Sequence, residues 1–264
     1  MAGTTDTALR THLKTAEFPW ENNLIHLFVG GSELHGAKVD STDDLDIYGV
    51  FIEPREFALG IDSCEHFIWS TAGQDRRNGP DDVDLTLYSL RKIAHLMSKG
   101  NATALHFLFA PTRDIESRVW TEHIAPRREL FLSRAAAVHF MRFADSQLRR
   151  LQGEGTGKHE QRPEYIGAFG YDTKAAMHAI RLLNEGIELM QNGRITLPRP
   201  EPERSQLISI RTGEFGSLDR VLELSKERFY EIQSAQAASH LPEEVDRKKI
   251  SELIADVYLR FYRQ

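Results

Sequence analysis

The chain has 264 residues, of which 41% are hydrophobic; this fits one large domain or two small ones around a real core and excludes a disordered chain. The formal net charge is −6, and residues 1–134 hold 14 basic against 20 acidic residues, so a broadly basic nucleic-acid-binding surface is missing. This argues against a long DNA or RNA substrate but leaves open a short RNA end or a tRNA-sized partner.

The cellular setting is predicted from what the sequence lacks. Cys64 is the single cysteine, so no intrachain disulfide can form and the composition suits a reducing cytoplasm. The N-terminal residues do not form a charged-then-apolar leader, and no window approaches the roughly 20 apolar residues that cross a bilayer. We therefore expect a soluble, cytoplasmic protein that does not bind membranes.

The first informative stretch is an apolar strand that leads into a glycine turn. A short packing helix is predicted over residues 7–17, and a strand over residues 25–29. In the turn Gly30-Gly31-Ser32, the missing side chains let the backbone approach a ligand and present N–H groups to a phosphate. Ser32 has an alternative role as the cap of a brief helical turn. Alone, this motif is weak.

A second strand begins at a run of aspartates. Leu45 and Ile47 point to one face of this strand, while Asp44 and Asp46 point to the other. Two carboxylates about 6.6 Å apart along a strand can bind one hard cation or a close pair of cations. Such a pair is the usual clamp for in-line phosphoryl transfer. The alternative is a solvated acidic face without chemistry.

A third carboxylate is predicted on a neighbouring strand. Residues 66–69 form one more strand, and an exposed loop over residues 71–81 follows it. In the next strand Val83, Leu85 and Leu87 make an apolar face, so the aspartates lie opposite it, where a metal can be reached. Asp84 is the predicted third ligand, and Asp82 is the reserve.

Together, the Gly-Gly-Ser turn, the Asp-x-Asp pair and the later carboxylate resemble the signature of the DNA polymerase beta-like nucleotidyltransferase superfamily. In many relatives a serine precedes the first aspartate of the pair, whereas this chain has Asp43 there. The third carboxylate is, by the same resemblance, the candidate base for the attacking hydroxyl. The resemblance implies a triphosphate held by Gly30, Gly31 and Ser32, and Mg²⁺ or Mn²⁺ held by Asp44, Asp46 and Asp84.

Two predicted helices make the resemblance more specific, to one branch of the superfamily. One runs from Ser89 to about Lys99, and Asn101 caps the next, which ends before Pro111. The segments 88–92, 99–102 and 108–111 are similar to a predicted nucleotidyltransferase branch found near RNA-repair genes, often called RlaP-like or YcgL-like. Where that branch usually has an acid before its Leu-Phe-Ala-Pro segment, this chain has His106 or its neighbours.

The second half is predicted to be almost wholly helical, apart from a glycine- and charge-rich loop over residues 152–170. In the helix after this loop, Lys174, His178 and Arg181 fall at i, i+4 and i+7, on one stripe. A solvated charged face is the default interpretation. The same branch shows a similar Asp-x-Lys-x-x-x-His-x-x-Arg-Leu pattern, which implies that these residues face the nucleotide, with Lys174 and Arg181 as triphosphate or leaving-group partners. His178 has the alternative role of a core histidine.

These interpretations combine into one prediction. The fold class is α+β: a catalytic domain over residues 1–126 with a mixed sheet and flanking helices, then a helical bundle over residues 127–264 that closes a nucleotide cleft. The predicted reaction moves a nucleoside monophosphate from an NTP to an acceptor hydroxyl on an RNA end, a protein or a small molecule. The alternatives are a non-catalytic nucleotide or RNA-end sensor, and an antitoxin-like partner that nucleotidylates or masks one protein. The NTP, the acceptor and the oligomeric state are left open.

Overall fold

The computed structural model describes residues 5–39, 43–73, 78–111, 115–154 and 162–263. The chain divides into two compact units: Met1–Ser98, Ala110–Phe131 and Asp246–Gln264 form the first, and Lys99–Phe109 and Leu132–Val245 form the second. A mixed sheet lies in the first unit and helices make up the second, so the predicted α+β class is confirmed. None of the helices in the described ranges has the length and apolar character needed to span a membrane.

Within the described ranges, the sheet of the first unit has five strands in the order β3-β4-β2-β1-β5. Strand β2 pairs antiparallel with β1 and parallel with β4, while β3 and β5 pair antiparallel at the two edges. The strands are β1 Leu24–Val29, β2 Leu45–Phe51, β3 His66–Ser70, β4 Val83–Ser89 and β5 Ile115–Glu116.

Among the described residues, the α-helices of the first unit are α1 Thr5–Thr15, α2 Gly31–Leu34, α3 Arg55–Leu59, α4 Leu90–Ser98 and α11 Arg247–Phe261. Those of the second unit are α5 Ala102–His106, α6 Ala136–Leu151, α7 Pro163–Phe169, α8 Thr173–Asn192, α9 Glu203–Arg211 and α10 Leu218–Ala238. Helix α7 lies in the segment predicted as a loop. It begins with Pro163 at its first position and ends at Gly170 in the left-handed conformation, both ordinary helix boundaries.

One face of the sheet builds the core of the first unit. Along β4, Val83, Leu85 and Leu87 are buried while the residues between them are half-buried, which is the predicted alternation. Ile47 of β2 lies on the same apolar side, and Leu13 of α1 is buried with these residues in one cluster. This burial fixes the register, since a slip by one residue would turn the aspartates of β2 and β4 into the core.

The C-terminal helix belongs to the first unit, so the units differ from the predicted division at residue 126. The hydroxyl of Tyr258 on α11 donates to the carboxylate of Glu53 and accepts the backbone N–H of Arg91. Tyr262 donates its hydroxyl to the Glu53 carbonyl. These hydrogen bonds join α11 to the segment after β2 and to the start of α4, a long-range pairing that helical periodicity does not reveal.

The second unit is arranged around α8, which packs against α6, α9 and α10. Asp172 caps the start of α8 by accepting the backbone N–H of Ala175, and Gly193 ends it in the left-handed conformation. Within α8, a side chain at Gly186 would collide with Ile232 and crowd Phe140. The glycine therefore lets the three long helices approach closely.

Candidate metal and nucleotide site

The sheet brings three predicted carboxylates together. Asp46 on β2 and Asp84 on β4 are register partners on parallel strands, so their side chains lie next to each other on one face. Asp44 immediately precedes β2. One carboxylate oxygen from each of these residues lies within 4.8 Å of the others, and the three form what we call the carboxylate cluster.

Asp44 is oriented by a residue that the sequence analysis did not single out. The side-chain amide of Asn78 donates a hydrogen bond of 2.7 Å to Oδ2 of Asp44. Because the second carboxylate oxygen is not used by this bond, Asp44 can still offer a ligand atom to the cluster. Asn78 stands in an Asn-Gly-Pro turn, and no local pattern indicates that this turn reaches the start of β2.

The glycine turn lies directly against the cluster. The backbone N–H of Gly30 donates to the carbonyl of Asp46 at 2.8 Å. Gly31 has φ +55°, and a Cβ there would collide with Oδ2 of Asp46; a Cβ on Gly30 would collide with the ring of Tyr48. Only glycines permit this approach. Ser32 follows in α2 and is half-buried, so the predicted turn and carboxylates share one corner of the unit.

The structure separates the two candidates for the third carboxylate. Asp82 is buried in the loop before β4, where its Oδ1 accepts the hydroxyl of Thr71 at 2.8 Å and its Oδ2 accepts the backbone N–H of Gly79 at 2.7 Å. Both carboxylate oxygens of Asp82 therefore stabilise the loop before β4 through hydrogen bonds. Asp84, by contrast, lies in the carboxylate cluster. Asp43 has a similar structural role, since it is buried and accepts the backbone N–H of Val39.

The electrostatics of the cluster favour a cation. Burial raises the pKa of the neighbouring Tyr48 above its ordinary range, and the charges of Asp46, Tyr88, Asp84 and Asp44 raise it further. Among the described residues, Oδ1 of Asp84 is buried and receives no hydrogen bond. A buried charged oxygen without a donor is costly unless a cation or proton reaches it. Three oxygen ligands of this kind suit a hard divalent cation such as Mg²⁺ or Mn²⁺.

The predicted cationic stripe lies in the second unit, on α8. Lys174 and His178 are half-buried, and Arg181 is buried. Nη1 of Arg181 donates to both oxygens of Glu185, at 2.8 and 3.1 Å. Nε2 of His106 lies 2.9 Å from the same carboxylate, so the histidine in the place of the usual acid contacts a buried acid from α8. The ion pair between Arg181 and Glu185 could have been predicted from the sequence, because the two residues are spaced i, i+4 on one helix.

Three comparisons with known proteins bear on this arrangement. The model of the RNA repair pathway DNA polymerase beta family matches residues 1–258. A comparison with curated protein sequences gives no match. Among solved structures, a nucleotidyltransferase-like protein from Exiguobacterium sibiricum 255-15, determined at 1.90 Å resolution, is 13% identical, with a TM-score of 0.32 over 87% of this chain and 74% of that chain. A TM-score this low supports no conclusion about fold or chemistry.

The family match covers nearly the whole chain and agrees with the resemblance that the Gly-Gly-Ser turn and the aspartates of β2 and β4 predicted. Proteins of nucleotidyltransferase-like families generally use divalent metals, and the carboxylate cluster is a group that could hold one. The chain belongs to the RNA repair pathway DNA polymerase beta family.

Proposed function

We propose that the chain is a metal-dependent nucleotidyltransferase. An acceptor hydroxyl oxygen attacks the α-phosphorus of an NTP and forms a new P–O bond. The bond from the α-phosphorus to the bridging oxygen breaks, pyrophosphate leaves with the electron pair, and the hydroxyl proton passes to a base. The acceptor hydroxyl belongs to an RNA end, a protein or a small molecule.

One observation carries this proposal. The carboxylates of Asp44, Asp46 and Asp84 converge within 4.8 Å, and Gly31 lies against them in a conformation that excludes a side chain. An acidic surface without a function does not need a glycine beside it. The combination of clustered hard oxygen ligands and an exposed backbone turn suits a cation bound together with phosphate groups.

Each residue of this corner has a role in the proposal. Asp44, Asp46 and Asp84 would hold Mg²⁺ or Mn²⁺, which when bound would offset the charge that develops on the phosphates. Asp84 would also accept the hydroxyl proton; its buried Oδ1 receives no hydrogen bond from the described residues, which supports this role. Gly30, Gly31 and Ser32 would line the triphosphate, as the family resemblance implies.

The second unit supplies the remaining part of the proposal. Lys174 and Arg181 would offset charge on the triphosphate or on the leaving pyrophosphate, and His178 would face the same nucleotide. This assignment rests on the family pattern in α8. Glu185 fixes the guanidinium of Arg181 through Nη1, and this fixed orientation would lower the entropic cost of binding an anion. The predicted roles of the two halves, catalysis and closure over the nucleotide, are part of this proposal.

Label transfer tests the reaction. The full chain is incubated with Mn²⁺ and each of the four NTPs, carrying ³²P at the α- or the γ-position, and with RNA, protein and small-molecule acceptors. We expect transfer of the α-label alone, together with release of pyrophosphate. Asp44→Asn should abolish transfer, whereas Asp81→Asn, which makes the same charge change at an exposed loop residue, should not. Transfer of the γ-label, or equal activity of both variants, would contradict the proposal.

A further inference from the structure

A cavity lies within the first unit, far from the carboxylate cluster. Its volume is about 490 Å³, in the range of small-molecule sites. It is bordered by Glu53, which follows the end of β2, whereas Asp46 lies near the start of that strand; the strand between them spans about 17 Å. This cavity is therefore separate from the proposed metal site.

Two facing helix stripes form the cavity. Arg91, Ala94, His95 and Ser98 fall at i, i+3, i+4 and i+7 of α4, and a stripe of α11 that runs from Arg247 to Tyr258 lies opposite. Tyr258 contacts Arg91 at one end, and Arg247 donates to Ser98 at the other, at 3.4 Å. The two helices therefore run antiparallel. At 1.5 Å per residue, the cavity extends about 10 Å along α4, from Arg91 to Ser98, and about 16 Å along α11, from Arg247 to Tyr258.

The end of the cavity at Tyr258 holds a buried carboxylate, Glu53, with one oxygen available as an acceptor. The Glu53 side chain is 0% exposed, and its Oε2 accepts the Tyr258 hydroxyl at 2.5 Å. Burial and the Glu53 charge raise the pKa of Tyr258, so this hydroxyl stays a donor. Oε1 of Glu53 receives no hydrogen bond from the described residues, although Nη2 of Arg91 lies 3.6 Å away. A ligand with an N–H group would supply the missing donor.

The apolar and charged side chains that line the cavity indicate the other chemical properties of its ligand. Ala94, Ile250 and Ile254 are buried and apolar, so they suit the flat faces of a ring system. Glu53 is opposed by two arginines, Arg91 and Arg247, which leaves a basic excess that favours an anionic ligand. A fatty acid lacks a donor for Oε1, and a simple amine would be repelled by the arginines.

We propose that this cavity is a second ligand site, which takes a nucleoside monophosphate. An N–H of the base donates to Oε1 of Glu53, the base lies against Ala94 and Ile254, and the phosphate binds Arg247. Bases present such N–H donors at their edges and apolar faces above and below the ring. The site is independent of the proposed transfer reaction, since it needs neither the carboxylate cluster nor a metal.

Calorimetric titration of the full chain with AMP, CMP, GMP and UMP in excess EDTA tests this site, because chelation removes any metal-dependent binding. We expect at least one nucleotide to bind with 1:1 stoichiometry. Arg247→Gln should weaken binding about tenfold, the effect of losing one charge-assisted hydrogen bond. Arg260→Gln is the matched control, since this exposed arginine of α11 pairs with Asp256 outside the cavity.

A second variant keeps the test independent of charge. Ala255→Phe would fill the cavity from an exposed position of α11 and should abolish binding, while Asp84→Asn should leave it unchanged. If none of the four nucleotides binds in EDTA, or if binding survives Ala255→Phe, the site is overturned. An unchanged affinity in Arg247→Gln overturns the placement of the phosphate. Loss of binding in Asp84→Asn alone would place the nucleotide at the carboxylate cluster and also overturn this site.

Discussion

Gly31 lies so close to Asp46 that a Cβ on Gly31 would collide with a carboxylate oxygen of Asp46. The glycine also has a positive φ of +55°, so its conformation and its contact both exclude a side chain. The contact links two segments that are separated in the sequence, and it makes the position of the Asp46 carboxylate depend on the glycine turn.

The first prediction concerns this contact. Gly31→Ala should weaken Mn²⁺ binding tenfold or more, because the new methyl group displaces the Asp46 carboxylate from the cluster. It should also lower the free energy of unfolding by about 1–2 kcal/mol through the left-handed backbone. Isothermal titration with Mn²⁺ and urea denaturation measure the two effects.

Gly73→Ala is the matched control for that experiment. Gly73 has φ +66°, but a Cβ there would meet no atom of the described residues within 4 Å. The control should therefore show a similar loss of stability while Mn²⁺ affinity stays at the wild-type value. If both variants lose Mn²⁺ affinity equally, backbone strain and not the contact with Asp46 is responsible.

The second prediction separates Asp82 from Asp84 by stability in EDTA. Asp82→Asn should lower the free energy of unfolding by about 1–3 kcal/mol, because Asp82 accepts hydrogen bonds with both oxygens. Asp84→Asn should raise Tm, by about 2–4 °C if relief of like-charge repulsion contributes about 1 kcal/mol. Thermal melts with EDTA and with Mn²⁺ check this.

In Mn²⁺ the order of the wild type and Asp84→Asn should reverse, since the bound ion stabilises only the protein that can hold it. A wild type that melts at the same temperature in EDTA and in saturating Mn²⁺ would remove the basis for this prediction. A loss of stability in Asp84→Asn that equals the loss in Asp82→Asn would assign Asp84 a structural role.

The third prediction concerns the pH dependence of stability at Glu188, on α8 of the second unit. Burial opposes the ionisation of Glu188 and is the largest single influence on its pKa, but hydrogen bonds from Thr196 and the ion pair with Arg199 together outweigh it and lower the pKa. Because its pKa is lowered, the ionised Glu188 stabilises the folded state above the unfolded-state pKa of about 4.3. This stabilisation is lost as the pH falls through the folded-state pKa.

Glu188→Gln should therefore lower the free energy of unfolding by about 1–3 kcal/mol at pH 7. At pH 3 the difference from the wild type should shrink, because the carboxyl becomes protonated in the unfolded state and the stabilisation falls as the pH approaches the lowered folded-state pKa. Urea denaturation at the two pH values measures this. Glu223→Gln, at an exposed position of α10, should have little effect at either pH. A difference for Glu188→Gln that does not change with pH would show that its charge is irrelevant.

Local periodicity predicted the faces of the strands well. The alternation of Leu85 and Leu87 with Asp84 placed the carboxylate opposite the core, and β4 has this arrangement. Tyr48 lies two residues after Asp46 on β2, so the same alternation places it on the face of the carboxylates. Periodicity did not choose between Asp82 and Asp84, because the choice depends on whether the loop before β4 needs an acceptor.

Contacts between segments that are distant in the chain could not be predicted from the sequence. The parallel pairing of β2 with β4 sets Asp46 beside Asp84, yet no local pattern encodes which strands pair. In the same way, the joining of α11 to the first unit depends on Tyr258 reaching Glu53 across about 200 residues. The short helix at Pro163 was missed because the glycines and charged residues that precede it, over residues 152–162, are typical of a loop.

A titration with Mn²⁺, in which electron paramagnetic resonance counts the free ion, tests whether Asp44, Asp46 and Asp84 hold one divalent-cation centre. We expect that the full chain binds Mn²⁺, that each single Asp→Asn change in the cluster weakens binding tenfold or more, and that Asp81→Asn does not. Wild-type affinity in Asp46→Asn and Asp84→Asn would contradict this expectation.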